Sequence, residues 1–326
     1  MERKRQPKRA GEKQPEGIFC GGFTLVELMI AMAITGLVLA AVYAAFGSQL
    51  RTYVGQQMTV EIQQNIRAAF ALMQHDIRMA GYDAAWRDEN NDGSHDFRDS
   101  DLIDNDCDGG ADAADPERDE ANDFACFTAA GAHYLQFRLD RARNGDFCDS
   151  EDRIGFGFST TRDRNRDGVA DAGTAPLGRS IGAGGLQPLA ENFQAVAFGY
   201  GFDDDHGAAL PDGEIDTNGR NIIWAYDSDA DGLLDTLLDS NADGVVDSAD
   251  DLDGNGRIDD AALTPAVPIS RIRAVQIWLL ARTRSPLRDH LDTDTYVVGD
   301  KVLSFADHYK RELVTTVVNC RNLALR

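Results

Sequence analysis

Six short segments of this chain carry the same run of oxygen ligands, D-x-[DN]-x-[DN]-G-x-x-D. Three start at Asp88 (with Asn90, Asp92 and Asp96), Asp104 (Asp106, Asp108, Asp112) and Asp163 (Asn165, Asp167, Asp171). The others start at Asp227 (Asp229, Asp231, Asp235), Asp239 (Asn241, Asp243, Asp247) and Asp251 (Asp253, Asn255, Asp259). Oxygens at positions 1, 3 and 5, with glycine at 6 for the sharp turn, form the front of an EF-hand-type calcium loop. Calcium suits such a set because it accepts about six to eight hard oxygens in flexible geometry. Position 12 should add a bidentate carboxylate. It is Asp99, Asp115 and Asp250 in three loops, but Thr174, Leu238 and Ala262 in the others. The last three loops begin 12 residues apart and so form an internal repeat. The expectation is structural calcium, with the 227–259 tandem ranked first, then 88–115, and 163–171 last.

No flanking helices are evident, so the tandem resembles thrombospondin type 3 or dockerin-like calcium repeats more than paired EF-hands. Net charge is −23, from 55 acidic against 32 basic residues, which sets the chain against nucleic acid and toward cations. The charge is unevenly placed: residues 1–22 hold six basic and three acidic residues. Five cysteines are present, of which Cys20 precedes the apolar run that follows. Cys107, Cys126, Cys148 and Cys320 form no CxxC pair, which argues against zinc. An even number in an exported domain suggests two disulfides, with the pairing open.

The elements that must position these loops begin with one long helix. Residues 23–46 hold a single charge, Glu27, and are long enough to cross roughly 30 Å of hydrocarbon. The basic leader should stay cytoplasmic, leaving residues beyond the span outside. No small-x-small site closes the apolar run as in a secretory signal. Over residues 47–80 the pattern becomes one-sided. Leu50, Val54, Met58, Ile62, Ile66, Phe70, Met73 and Ile77 recur at steps of three or four, the face of an amphipathic helix. Gly81 is a stop signal. The spacing predicts one helix from Phe23 to Met79 whose second half needs a globular partner.

Past Gly81, residues 81–326 read as short strands between Gly- and Asp-rich turns: 133–139, 154–160, 193–202, 221–226, 269–282, 301–305 and 312–320. An antiparallel sheet covering the helix stripe makes an α+β domain. The six histidines show no ligand spacing, no GxSxG elbow is present, and "GAGG" (182–185) reads as a turn. The expectation is a protein without enzymatic activity.

Gly22-Phe23-Thr24-Leu25-Val26-Glu27, set between a basic leader and an apolar helix, resembles the type IV prepilin motif. "QQNIRAAFALMQHDIRMAGYDAAW" (63–86), "AENFQAVAFGYGF" (190–202) and "YKRELVTTVVNCRN" (309–322) resemble PilW-type minor pilins. The likeness is good over 17–86, patchy afterwards and absent over the aspartate loops. It implies a pilin-like fold and a leader, residues 1–22, cut from Phe23 by prepilin peptidase. It also implies N-methylation of Phe23 and docking among other pilins in the inner membrane, with Glu27 pairing the Phe23 amine of a neighbour. The implied role is minor pilin, membrane-held with its C-terminal domain in the periplasm, then placed in the pilus. The J-type minor pseudopilin of type II secretion shares this layout. A calcium-dependent surface adhesin on a pilin anchor is a further alternative.

Overall fold

The structure is a computed structural model, and it describes residues 22–82, 126–141, 149–205, 212–258 and 260–322. Two compact units divide the chain between Val54 and Gly55. In both, the opening element is the helix α1, Leu25–Arg78, within two residues of the predicted ends. Thr24 starts it: its side-chain oxygen accepts the Glu27 N–H at 3.2 Å, and its carbonyl accepts that of Leu28 at 3.1 Å. A threonine N-cap with glutamate three residues on is the signature of a capping box.

In the first unit the large apolar side chains from Phe23 to Val54 are exposed. Here α1 is long and apolar enough to cross a membrane, alone among the helices of the described residues. In the second unit Met58, Ile62, Ile66, Phe70, Met73 and Ile77 are buried. The covered stripe therefore begins at Met58, whereas the sequence pattern starts it at Leu50. The helix stops where expected. Gly81 takes the left-handed φ of +70° and gives its N–H to the Arg138 carbonyl at 2.9 Å.

Fourteen strands follow among the described residues. They are β1 (Phe127–Ala130), β2 (Tyr134–Arg138), β3 (Arg153–Gly157), β4 (Ala175–Ile181) and β5 (Gln187–Phe202). Next come β6 (Thr217–Asn218), β7 (Asn221–Ile222), β8 (Ala225–Tyr226), β9 (Leu233–Leu237) and β10 (Ala261–Pro268). The last are β11 (Ile272–Arg282), β12 (Thr295–Val298), β13 (Lys301–Ser304) and β14 (Arg311–Asn319). Ten of them form one antiparallel sheet, in the order β1-β2-β3-β4-β5-β8-β9-β10, with β11 bridging β5 to β14. β5 is its spine. It takes β4 near its start (Ala175↔Phe193), β11 along its length and β8 at Tyr200↔Ala225. β6–β7 and β12–β13 are separate ribbons.

Phe137 on β2, Phe156 on β3 and Phe193, Phe198 and Tyr200 on β5 are fully buried in one cluster with Met73 and Ile77 of α1. Polar ties add register. Arg179 on β4 reaches the buried Asp76 on α1 at 2.7 Å, and Asn65 donates to the Glu191 carbonyl at 3.0 Å. A buried carboxylate is tolerated in that core because it is paired.

Candidate functional site

At the N-terminal end, Gly22 and Phe23 lie exposed ahead of the cap, and Glu27 sits in the first turn of α1. An anionic side chain is favoured there by the helix dipole, in addition to any partner it meets in an assembly. Glu27, Phe23 and the apolar surface that follows lie on one continuous, uncovered element.

The aspartate loops at 163, 227, 239 and 251 share one backbone geometry. In each, the carboxylate at position 1 accepts the N–H of the position-6 glycine: Gly168 at 2.9 Å, Gly232 at 3.0 Å, Gly244 at 2.7 Å and Gly256 at 2.9 Å. The side chain at position 5 accepts the N–H of position 7, at 2.8–2.9 Å in all four loops. Positions 4 and 6 are both left-handed, with φ between 59° and 88°. Glycine at 6 adopts that conformation freely, whereas Arg166, Ala230 and Ala242 at position 4 adopt it against their Cβ. The result is a cup in which the side chains of positions 1 and 5 fold back onto the loop's own N–H groups. In the first tandem loop, carboxylate oxygens of Asp227, Asp229 and Asp231 lie within 4.8 Å of one another.

The fourth ligand position behaves differently between loops. Asp171 and Asp235, at position 9, each accept the N–H of position 2, from Arg164 at 3.2 Å and Ser228 at 3.1 Å. In the 239 loop that role passes to Asp250 at position 12, which accepts the N–H of Ser240 at 2.8 Å and of Asn241 at 3.1 Å. Asp247 instead accepts the Ala249 N–H at 2.7 Å. The loop ranked last in sequence, 163–171, has the same geometry as the tandem. Burial pushes the Asp163 carboxyl up, against the N–H groups of Gly168 and Asp167.

One pair, a half-buried His133 and a buried Asp300, ties two of these loops. His133 meets the Arg166 carbonyl at 3.2 Å and Asp300 at 2.6 Å. Asp300 in turn takes the Ile258 N–H on its carbonyl and has Arg257 3.7 Å from its carboxylate. Burial works to raise the Asp300 carboxyl, but His133 and Lys301 outweigh it and hold it below its usual range. The 163 and 251 loops are thus positioned through the turn before β13.

The remaining candidates divide. Asp88, Asn90, Asp92, Asp96, Asp99, Asp104, Asp106, Asp108, Asp112, Asp115 and Asp259 lie outside the described residues, as do Cys107 and Cys148. Cys126 and Cys320 are both buried, and burial pushes the Cys320 thiol well up. Sequence spacing misses one acidic group, Asp203, Asp205 and Asp216, whose carboxylates also lie within 4.8 Å of one another. Its one signal is the half loop "DGEID" at 212–216.

A family model for the prokaryotic N-terminal methylation motif matches residues 19–43, which hold Gly22, Phe23 and Glu27. Among solved structures, the chain is similar to a type IV-like pilin from Thermus thermophilus at 14% identity, covering 60% of this chain and 86% of that one, with a TM-score of 0.28. A superposition that loose carries no weight beside the architecture itself. The chain matches no curated protein. The prokaryotic N-terminal methylation motif thus opens a long helix, apolar first and then buried against a large antiparallel sheet, the arrangement of a type IV pilin-like α+β fold. Such a motif implies processing by a prepilin peptidase and assembly with other pilins.

Proposed function

We propose that this chain is a minor pilin of the PilW type, acting in the assembly and priming of a type IV pilus. It is made as a prepilin, held in the inner membrane with its C-terminal domain in the periplasm, cut between Gly22 and Phe23, and methylated on Phe23. Glu27 then pairs with the Phe23 amine of a neighbouring subunit. Each charge is expensive alone in hydrocarbon, so their union rewards docking at one axial register. The observation that carries this reading is the motif itself, capped by Thr24 and continuous with an uncovered apolar helix. A strain lacking the chain is expected to lose surface pili and to regain them with the wild-type gene. Glu27→Ala is expected to be cut normally yet restore no pili. Normal piliation without the chain, with loss of protein secretion instead, would move it to a secretion pseudopilus.

Calcium in the D-x-D-x-D-G loops belongs to the same proposal, supported by the shared cup in all four described loops. The side chains present fit the ion, since every candidate ligand is a hard oxygen. A ligand at a hundredfold its Kd stabilises by about 2.7 kcal/mol, or roughly 5–10 °C in Tm for a domain of this size class. Chelation of the full-length protein in detergent should therefore lower its melting temperature by that order. An unchanged melting curve would remove calcium from the loops.

A further inference from the structure

β5 ends at Phe202 and the chain enters Asp203-Asp204-Asp205 directly. It returns at 212–216, where the Asp216 N–H donates to the Phe202 carbonyl at 2.8 Å. One carboxylate oxygen from each of Asp203, Asp205 and Asp216 lies within 4.8 Å of the others. Most of these oxygens have backbone donors. Asp216 accepts the N–H of Asp204 at 3.3 Å and of Asp205 at 3.4 Å, and Asp205 Oδ2 accepts that of Asp212 at 2.6 Å. Asp203 Oδ2 accepts the Gly213 N–H at 3.1 Å, with Arg273 Nε 3.8 Å away.

Asp203 Oδ1 is different. The residue is 0% exposed, and this oxygen has no hydrogen-bond partner. In every described D-x-D-x-D-G loop, both oxygens of the first aspartate accept backbone N–H groups. An unsatisfied buried acceptor is destabilising, and more so when charged, so this one calls for a specific explanation such as a bound ion. Arg273 stands on the Oδ2 side and its charge is shared with two backbone carbonyls, of Ser270 and Ile272.

We propose that Asp203, Asp205 and Asp216 hold a calcium ion, in a site separate from the D-x-D-x-D-G loops. The three side chains offer hard oxygen alone, the donor set of calcium rather than of zinc or copper. Opposed ligands on one calcium stand about 4.6–5.2 Å apart at bonds of about 2.3–2.6 Å, so oxygens within 4.8 Å of each other fit a shared ion. The ion would take up Asp203 Oδ1 and relieve the repulsion between the carboxylates. It would also clamp the start of the 203–216 excursion to its end, just ahead of the β6–β7 ribbon. The site stands whether or not the repeat loops bind.

Calcium titration of the calcium-stripped full-length protein in detergent, by equilibrium dialysis with radioactive calcium, tests this. Asp203→Asn and Asp216→Asn are each expected to bind one ion fewer per chain than wild type, while Asp227→Asn retains the ion at this site. Asp205→Asn guards against misfolding, because Asp205 has φ +47° and asparagine tolerates the left-handed region well. It is expected to weaken one site at least tenfold with an unchanged circular dichroism spectrum. Equal stoichiometry and affinity in wild type and all three variants at this site would overturn the proposal, leaving the repeat loops untouched. A wild type that binds one ion, lost in Asp203→Asn, would uphold the site and sink the loops.

Discussion

A Gly22→Val chain is expected to accumulate as the uncut precursor, still carrying residues 1–22, with no chain beginning at Phe23 recovered. The structural ground for expecting so clean a result is that Gly22 has no folding role. It is exposed ahead of the Thr24 cap, and a Cβ placed there would meet no atom within 4 Å. Valine at this position therefore leaves α1 and the sheet as they are, and any loss must arise at the peptidase. Intact-mass measurement of membrane-extracted protein reads the outcome directly: wild type is expected to lack the leader and carry one added methyl group, and the variant to do neither. Normal maturation of Gly22→Val would remove the prepilin reading at its root. Failure of Glu27→Ala to assemble would not substitute for this test, because Glu27 also lies in the first turn of the helix.

Arg311→Met is expected to destabilise the second unit by about 3–5 kcal/mol, the cost of stranding a buried charge. Arg311, at the start of β14, has a fully buried side chain. It donates to Asp292 at 2.9 Å, to both Asp307 oxygens at 2.7 Å and to Gln194 at 2.7 Å, and stacks on the Phe305 ring at 3.6 Å. Methionine keeps much of the volume but leaves Asp292 buried with only the Tyr296 hydroxyl and the Asp294 N–H. At about 2–4 °C per kcal/mol the melting temperature falls by roughly 6–20 °C. Adding Asp292→Asn should recover part of the loss, and a double variant no better than the single would contradict this account. The acid limb carries a second signature. Hydrogen bonds from Arg311 hold the Asp307 carboxyl down at about 2, against an ordinary 3.8. A depressed carboxyl stabilises the fold above its unfolded value, and that contribution drains as pH falls from near 4 toward 2. Arg311→Met should lose this pH-dependent share, so that wild type and variant converge in stability at the acid end.

Periodicity made the helix legible to within two residues at each end, because a stripe at steps of three and four has one structural solution over that length. The strands at 133–139, 193–202 and 312–320 were equally plain from their alternation. β4 and β10 are absent from the strands expected from sequence, and both "APLGRSI" and "AALTPAVP" contain proline, which removes a ladder donor and weakens the strand pattern. β10 tolerates it at the end of the sheet order, and its pairing with β9 breaks register between Ala262 and Val267, around Pro265. β9 was hidden for another reason: Asp235 serves both as loop position 9 and as a strand residue. The loops showed their ligand spacing but not their backbone, since nothing in an arginine or alanine at position 4 announces a left-handed residue. The Asp203 group escaped because its ligands come from two ends of an excursion, and spacing rules see only neighbours in sequence.

The 12-residue repeat has a bearing on how this chain can vary. β9 ends at Leu237 and pairs with Ala261 at the head of β10, so the loops starting at 239 and 251 together form the tip of one hairpin. Removing residues 239–250 would join like to like, since Asp239 and Asp251 hold the same place in their cups. The strands below would keep their register. Asn218 would give up its hydrogen bond to the Ala242 carbonyl, and halving a loop changes its closure cost by only about 0.6 kcal/mol. The tip can therefore gain or lose whole 12-residue units, changing its reach and acidity, without shifting the strands beneath it.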